Sequence, residues 1–139
     1  MSKLVRDADY LTDIQAAIAK INRYTQGMDL DAFMSSELVQ DAVFRNIAII
    51  GEAVSKLSTG LTKIHSDVPW VNIAGMRNRL VHEYSGVNLK LVWNTIQSVI
   101  PSFSARIAQI QQAPNDGGGD GAGGGAAGGP PRDTKPPRP

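Results

Sequence analysis

The segment Ala74-Gly-Met-Arg-Asn-Arg-Leu-Val-His-Glu-Tyr84 holds the side chains best suited to chemistry in this 139-residue chain. It brings one of only two histidines together with two arginines and a tyrosine. Histidine moves protons near neutral pH, and arginine offers a planar, permanently charged fork to phosphate oxygens, so the set suits phosphodiester cleavage without a metal. These residue types permit that chemistry without demanding it. A histidine contacting the last carbonyls of a helix, an Arg79–Glu83 pair four residues apart and a Tyr84 at the core edge would account for the same letters.

Spacing narrows which of these groups could cooperate. On a straight helix at ~100° per residue, Asn78 and His82 share a face, Arg77 and Tyr84 nearly line up, and Arg77 and His82 point ~140° apart. A joint site for Arg77 and His82 therefore needs the reach of the arginine, a distorted helix end near His82, or a second protomer. Arginine reach together with a second protomer is the arrangement this reading favours. The other histidine, His65, lies in a polar connector with no carboxylate or histidine at metal-ligand spacing, so it is read as exposed and no metal site is expected.

The elements that must position this segment are helical. Leu11, Ile14, Ile18 and Ile21 recur in steps of three and four, which predicts an amphipathic helix over about 7–25 that ends near Gly27. A short helical turn is expected around Asp29–Met34. Ser35 or Ser36 then caps a long helix to about Leu57, with Leu38, Ala42, Val43, Ile47, Ile50, Val54 and Leu57 on its apolar side. Gly51 inside that helix costs about 1 kcal/mol relative to alanine, which a close helix–helix approach would explain.

After a polar connector through Asp67, Pro69-Trp70 opens a helix whose stripe is Ile73, Met76 or Arg77, Leu80 and Tyr84, stopped by Ser85-Gly86. Asn88 caps a last helix to about Gln111, with Val92, Ile96, Val99, Phe103, Ile107 and Ile110 inward and Pro101 kinking or splitting it. No strand pattern is present. The expected fold is all-α, a bundle of four or five helices over residues 1–113.

Composition bounds the rest. From Pro114 to Pro139 lie 9 of the 14 glycines and 6 of the 8 prolines, with no apolar side chain larger than alanine, so 114–139 is expected to be a disordered tail. Up to Pro114 there are 11 Lys/Arg against 10 Asp/Glu, and beyond it 3 against 3. A chain this near neutrality does not hold nucleic acid by overall phosphate neutralisation, so any RNA contact must be local or made by an assembled surface. The absence of cysteine rules out disulfides and thiolate chemistry and suits a reducing cytoplasm. The N-terminal residues lack a signal-peptide core, and no apolar run spans a bilayer.

Arg77 followed by four residues, His82, one residue and Tyr84 resembles the signature of the HepT toxins of the HEPN superfamily. Its context is similar as well: Ile49-Ile-Gly-Glu-Ala53, Val68-Pro-Trp70, Ile73-Ala-Gly-Met-Arg-Asn78, Leu80-Val-His-Glu-Tyr84, Val92-Trp93 and Ile100-Pro101 follow in the family's order, over roughly residues 5–112. The resemblance implies a metal-independent endoribonuclease without a cofactor, acting on mRNA or tRNA as a homodimer whose Arg77 and His82 side chains line one cleft. It places the family's supporting polar residue at Asn78. It also implies a nucleotidyltransferase antitoxin as partner and, in several systems, transfer of AMP to the tyrosine that is Tyr84 here. Two rival readings are an inactive HEPN dimer that binds RNA, nucleotide or a partner protein, and a helical interaction protein in which His82 is structural.

Overall fold

The computed structural model describes residues 3–82 and 86–113, without the side chains of residues 3–5 and His82. Helix α1 spans Lys3–Thr25, α2 Leu30–Met34, α3 Glu37–Ser55, α4 Thr59–Ile64, α5 Trp70–Ala74, α6 Met76–Arg79, α7 Leu89–Asn94 and α8 Ile100–Gln112. A π-helical turn, Thr95–Val99, joins α7 to α8. The architecture is an all-α bundle. Its one departure is a minimal antiparallel ladder of β1 (Val81–His82) and β2 (Gly86–Val87), which the sequence pattern did not suggest. The expected tail from 114 on, and Glu83, Tyr84 and Ser85, lie outside the described residues.

Helices α1 and α3 form the central pair, and their expected apolar positions meet: Leu11, Ile14, Ile18 and Ile21 on one side, Val43, Ile47, Ile50 and Val54 on the other, all buried. Each fully buried aliphatic side chain contributes about 1.5–3 kcal/mol of transfer free energy, so this seam is a substantial part of what holds the fold together. Leu38 departs from expectation, being 81% exposed in the first turn of α3, two residues past its Ser36 cap. Ser36, rather than Ser35, accepts from the Val39 amide.

Polar contacts fasten the bundle at its ends. The carboxylate of Asp7, 3% exposed, accepts from both the amide (2.8 Å) and the hydroxyl of Ser58, whose own Oγ accepts from Leu61 and so starts α4. The supposed polar connector thus contains a helix, one turn and a half of it, fixed by a cap with no apolar periodicity to announce it. Gln15 Nε2 donates to the Ser104 carbonyl at 3.1 Å while Ser104 Oγ donates back to Gln15 Oε1 at 3.0 Å, clasping α1 to α8.

The last helix splits, as the proline predicts. Pro101 has no N–H to offer the Gln97 carbonyl, and its ring would press on that oxygen, so the chain widens into the π turn immediately before it. The Ile100 amide accordingly reaches five residues back to Thr95. This corrects one expected core position: Ile100 is fully buried, while Val99 is 41% exposed.

His65 is also corrected, since it is half-buried rather than exposed. Its carbonyl accepts from Trp70 Nε1 at 2.9 Å, and its Nδ1 lies 3.3 Å from the Arg106 guanidinium. Arg106 meanwhile grips Asp67 through two nitrogens, at 2.8 and 3.0 Å, and holds that carboxyl below the usual carboxylate range. Trp70, edge-on to Phe103 at 6.1 Å, completes a junction that sews the start of α5 to α8.

Gly51 is where α3 and α5 touch. A Cβ there would sit 2.8 Å from the Ala74 carbonyl oxygen, a backbone atom that has no flexible end to swing aside. Gly51→Ala should therefore lower stability by about 1–3 kcal/mol, despite the gain of about 1 kcal/mol in helix propensity. Thermal unfolding checks this: a fall in Tm of several degrees is expected, and a rise would show that α5 does not bear on α3.

Candidate functional site

The segment read as one helix through Tyr84 is three pieces. α5 stops at Ala74, Gly75 interrupts the hydrogen-bonding run, and α6 supplies only Met76–Arg79 before Leu80 caps it. Within this region Ile73, Met76 and Leu80 are buried, so the inward position is Met76 and Arg77 faces out. Burial of Leu80, 2% exposed, pins the end of α6 against the core and turns the chain into β1.

That turn overrides the straight-helix arithmetic. His82 stands in β1, not on a fourth helical turn, so neither the shared face with Asn78 nor the ~140° separation from Arg77 applies. Of the three ways to unite Arg77 with His82, the structure displays the helix end near the histidine. It leaves the arginine's reach and a second protomer as additional means. The strand is held by pairing of Val81 with Val87 and His82 with Gly86, and by the Asn88 amide donating to the Leu80 carbonyl at 2.7 Å. Gly86 adopts φ +81°, the left-handed region that a side chain disfavours, so glycine there allows the chain to re-enter the ladder. Asn88 then caps α7 by accepting from the Leu91 amide.

The arginines have separate roles. Arg79 folds back over the α5–α6 interruption, and its Nη2 donates to the Asn72 carbonyl at 2.8 Å. It holds the break together. Arg77 remains exposed: its Nη1 donates to Asn78 Oδ1 at 3.2 Å, and its guanidinium carbon lies 5.5 Å from the centre of the Phe44 ring on α3. Among the described residues Arg77 forms no ion pair with a carboxylate. Asn78, expected beside His82, lies beside Arg77 through this hydrogen bond.

Phe44 is absent from the sequence reading of the site. It precedes Arg77 by thirty-three residues, and no local spacing connects them. The side chain of His82 and the whole of Tyr84 lie outside the described residues.

Two other features lie outside this segment. A groove of about 380 Å³ between α1 and α3, lined among others by Tyr10, Asp13, Lys20 and Glu52, contains none of Arg77, Asn78 and His82. Among the described residues, no group of three or more histidines and carboxylates is arranged to hold a metal ion, and no helix is long and apolar enough to cross a membrane.

Comparison with known proteins bears on the same segment. The sequence profile of the family described as "Ribonuclease HepT-like" matches residues 14–110, which include α6, β1 and β2. A protein of Thermococcus cleftensis named "Probable ribonuclease HepT" is 34% identical over 104 residues, covering 75% of this chain and 94% of that protein. One from Caldanaerobacter subterraneus subsp. tengcongensis, named a "Putative RNase", is 37% identical over 103 residues, covering 74% of this chain and 92% of its own length. A third, from Methanocaldococcus jannaschii and also named a "Putative RNase", is 33% identical over 101 residues, covering 73% and 87%. No solved structure matches the chain at the same level of significance. With the profile spanning most of the helical bundle and its relatives nearly covered end to end, the chain belongs to the ribonuclease HepT-like family, within the HEPN superfamily that its Arg77–His82 spacing resembles.

Proposed function

We propose that this chain is a metal-independent endoribonuclease, the toxin of a toxin–antitoxin pair, with Arg77 and His82 as its reacting side chains. The observation that carries the reading is the exposed guanidinium of Arg77, without a carboxylate partner among the described residues, on a helix that ends just before the strand holding His82. Membership of a ribonuclease HepT-like family, and the ribonuclease names of the relatives, give that geometry its substrate.

The chemistry is transesterification. The RNA 2′-oxygen attacks the adjacent phosphorus, the bond from phosphorus to the 5′-oxygen breaks, and a 2′,3′-cyclic phosphate and a 5′-hydroxyl result. His82 removes the 2′-hydroxyl proton or delivers one to the leaving oxygen. Arg77, oriented by Asn78, stabilises the negative charge that grows on the phosphorane oxygens. No cofactor enters this scheme.

Two protomers are proposed to build the cleft. Support comes from apolar side chains left bare on the surface: Leu38 on α3 is 81% exposed and Val71 on α5 is 85% exposed. Pairing also answers the electrostatic difficulty, since two copies of Arg77 in one groove create a local positive potential on a nearly neutral chain. A nucleotidyltransferase antitoxin is proposed to silence the site by transferring AMP to Tyr84, two residues after His82. The added phosphate would repel RNA and its bulk would occupy the cleft.

Cleavage of RNA by the purified protein in EDTA tests the mechanism, with Arg77→Ala and His82→Ala each expected to lower the rate by about 10²–10⁴-fold. His82→Ala cleaving as fast as the parent would end it. For the shared cleft, mixing the two inactive variants should restore part of the activity, because a mixed dimer keeps one arginine and one histidine; no recovery from a demonstrated heterodimer counts against it. After co-expression with the antitoxin, intact-mass analysis should show an AMP-sized addition on the peptide containing Tyr84. Its absence would remove adenylylation from the scheme.

A further inference from the structure

We infer that Phe44 is a positioning residue for Arg77, an aromatic seat on α3 that holds the guanidinium in its working orientation. The inference rests on the ribonuclease reading above and deepens it. Arg77 sits on a four-residue helix and is exposed, and a long side chain in that setting samples many rotamers. Among the described residues, two contacts limit it. Asn78 Oδ1 accepts from one terminal nitrogen at 3.2 Å, and the half-buried Phe44 ring lies 5.5 Å from the guanidinium carbon, within the range of cation–π attraction.

The two contacts differ in what they supply. Asn78 is exposed and adjacent in sequence, so it moves with Arg77 and offers no outside reference. Phe44 belongs to α3, whose neighbours Val43 and Ile47 are fully buried, so the ring is tied to the rigid centre of the bundle. A guanidinium resting on it keeps its edge nitrogens free for phosphate oxygens, since the ring attracts charge without consuming a donor. A carboxylate in that position would hold the arginine equally well and neutralise it. An aromatic ring orients the charge and leaves it active.

The test compares Phe44→Leu with Phe44→Tyr in the full-length protein. The leucine variant keeps apolar bulk without the ring; the tyrosine variant keeps the ring. With Tm matched, Phe44→Leu should lower the maximal RNA cleavage rate by about two- to fivefold, the size expected of one exposed cation–π contact, and Phe44→Tyr should restore it. Phe44→Met takes the place of the leucine variant if that one fails to fold. In parallel, NMR of the Arg77 side-chain δ and ε protons should show an upfield ring-current shift in the parent and Phe44→Tyr that is lost in Phe44→Leu. A leucine variant that cleaves as fast as the parent, or leucine and tyrosine variants that lose activity equally, overturns the positioning role while leaving the ribonuclease reading intact. A parent that cleaves no RNA, with the Arg77 shift still dependent on Phe44, overturns the ribonuclease reading instead.

Discussion

Backbone contact between α3 and α5 at Gly51 is the constraint on which the rest depends. Because no Cβ stands between Gly51 and the Ala74 carbonyl, α5 lies directly on α3, and the short α6 that follows is carried along the same helix toward Phe44. The glycine therefore gives up helix propensity for an approach distance. That distance sets where the charged side chain stands.

From that contact outward, the candidate site is assembled from chain ends. α5 stops at Gly75, α6 lasts one turn and ends at the buried Leu80 where β1 begins, and Gly86, in the left-handed region, opens β2. Arg79 bridges the interruption by donating to Asn72, and Asn88 closes the ladder through its amide on the Leu80 carbonyl. Such a series of ends costs helical hydrogen bonds. It also exposes polar groups near one another, which a continuous helix would have distributed around its circumference.

The electrostatics follow from the same economy. The chain carries almost balanced charge, and among the described residues the Arg106–Asp67 ion pair joins α8 to the loop before α5. Arg77 is treated differently, with an aromatic ring and an amide for neighbours. Locally available positive charge, rather than overall basicity, is what a phosphate-directed site on such a chain requires.

Much of this was legible beforehand. The three- and four-residue steps of Leu11, Ile14, Ile18 and Ile21, and of Val43, Ile47, Ile50 and Val54, announce the central helix pair, because burial of one face is a property of spacing alone. The Asn88 cap, the split at Pro101 and the close approach at Gly51 are equally local, each arising from the hydrogen-bonding or steric nature of a single residue. Arg77 and His82 stand out by their residue types, while the supporting role of Asn78 came with the resemblance to the HepT family. Where the helix ends was not local. Periodicity continues through Leu80 toward Tyr84, yet the chain turns at Leu80 because its side chain is buried and its carbonyl is claimed by Asn88 eight residues on. The placement of Phe44 under Arg77, the hold of Asp7 on Ser58 and the engagement of His65 with Arg106 join residues distant in sequence, and only packing brings them together.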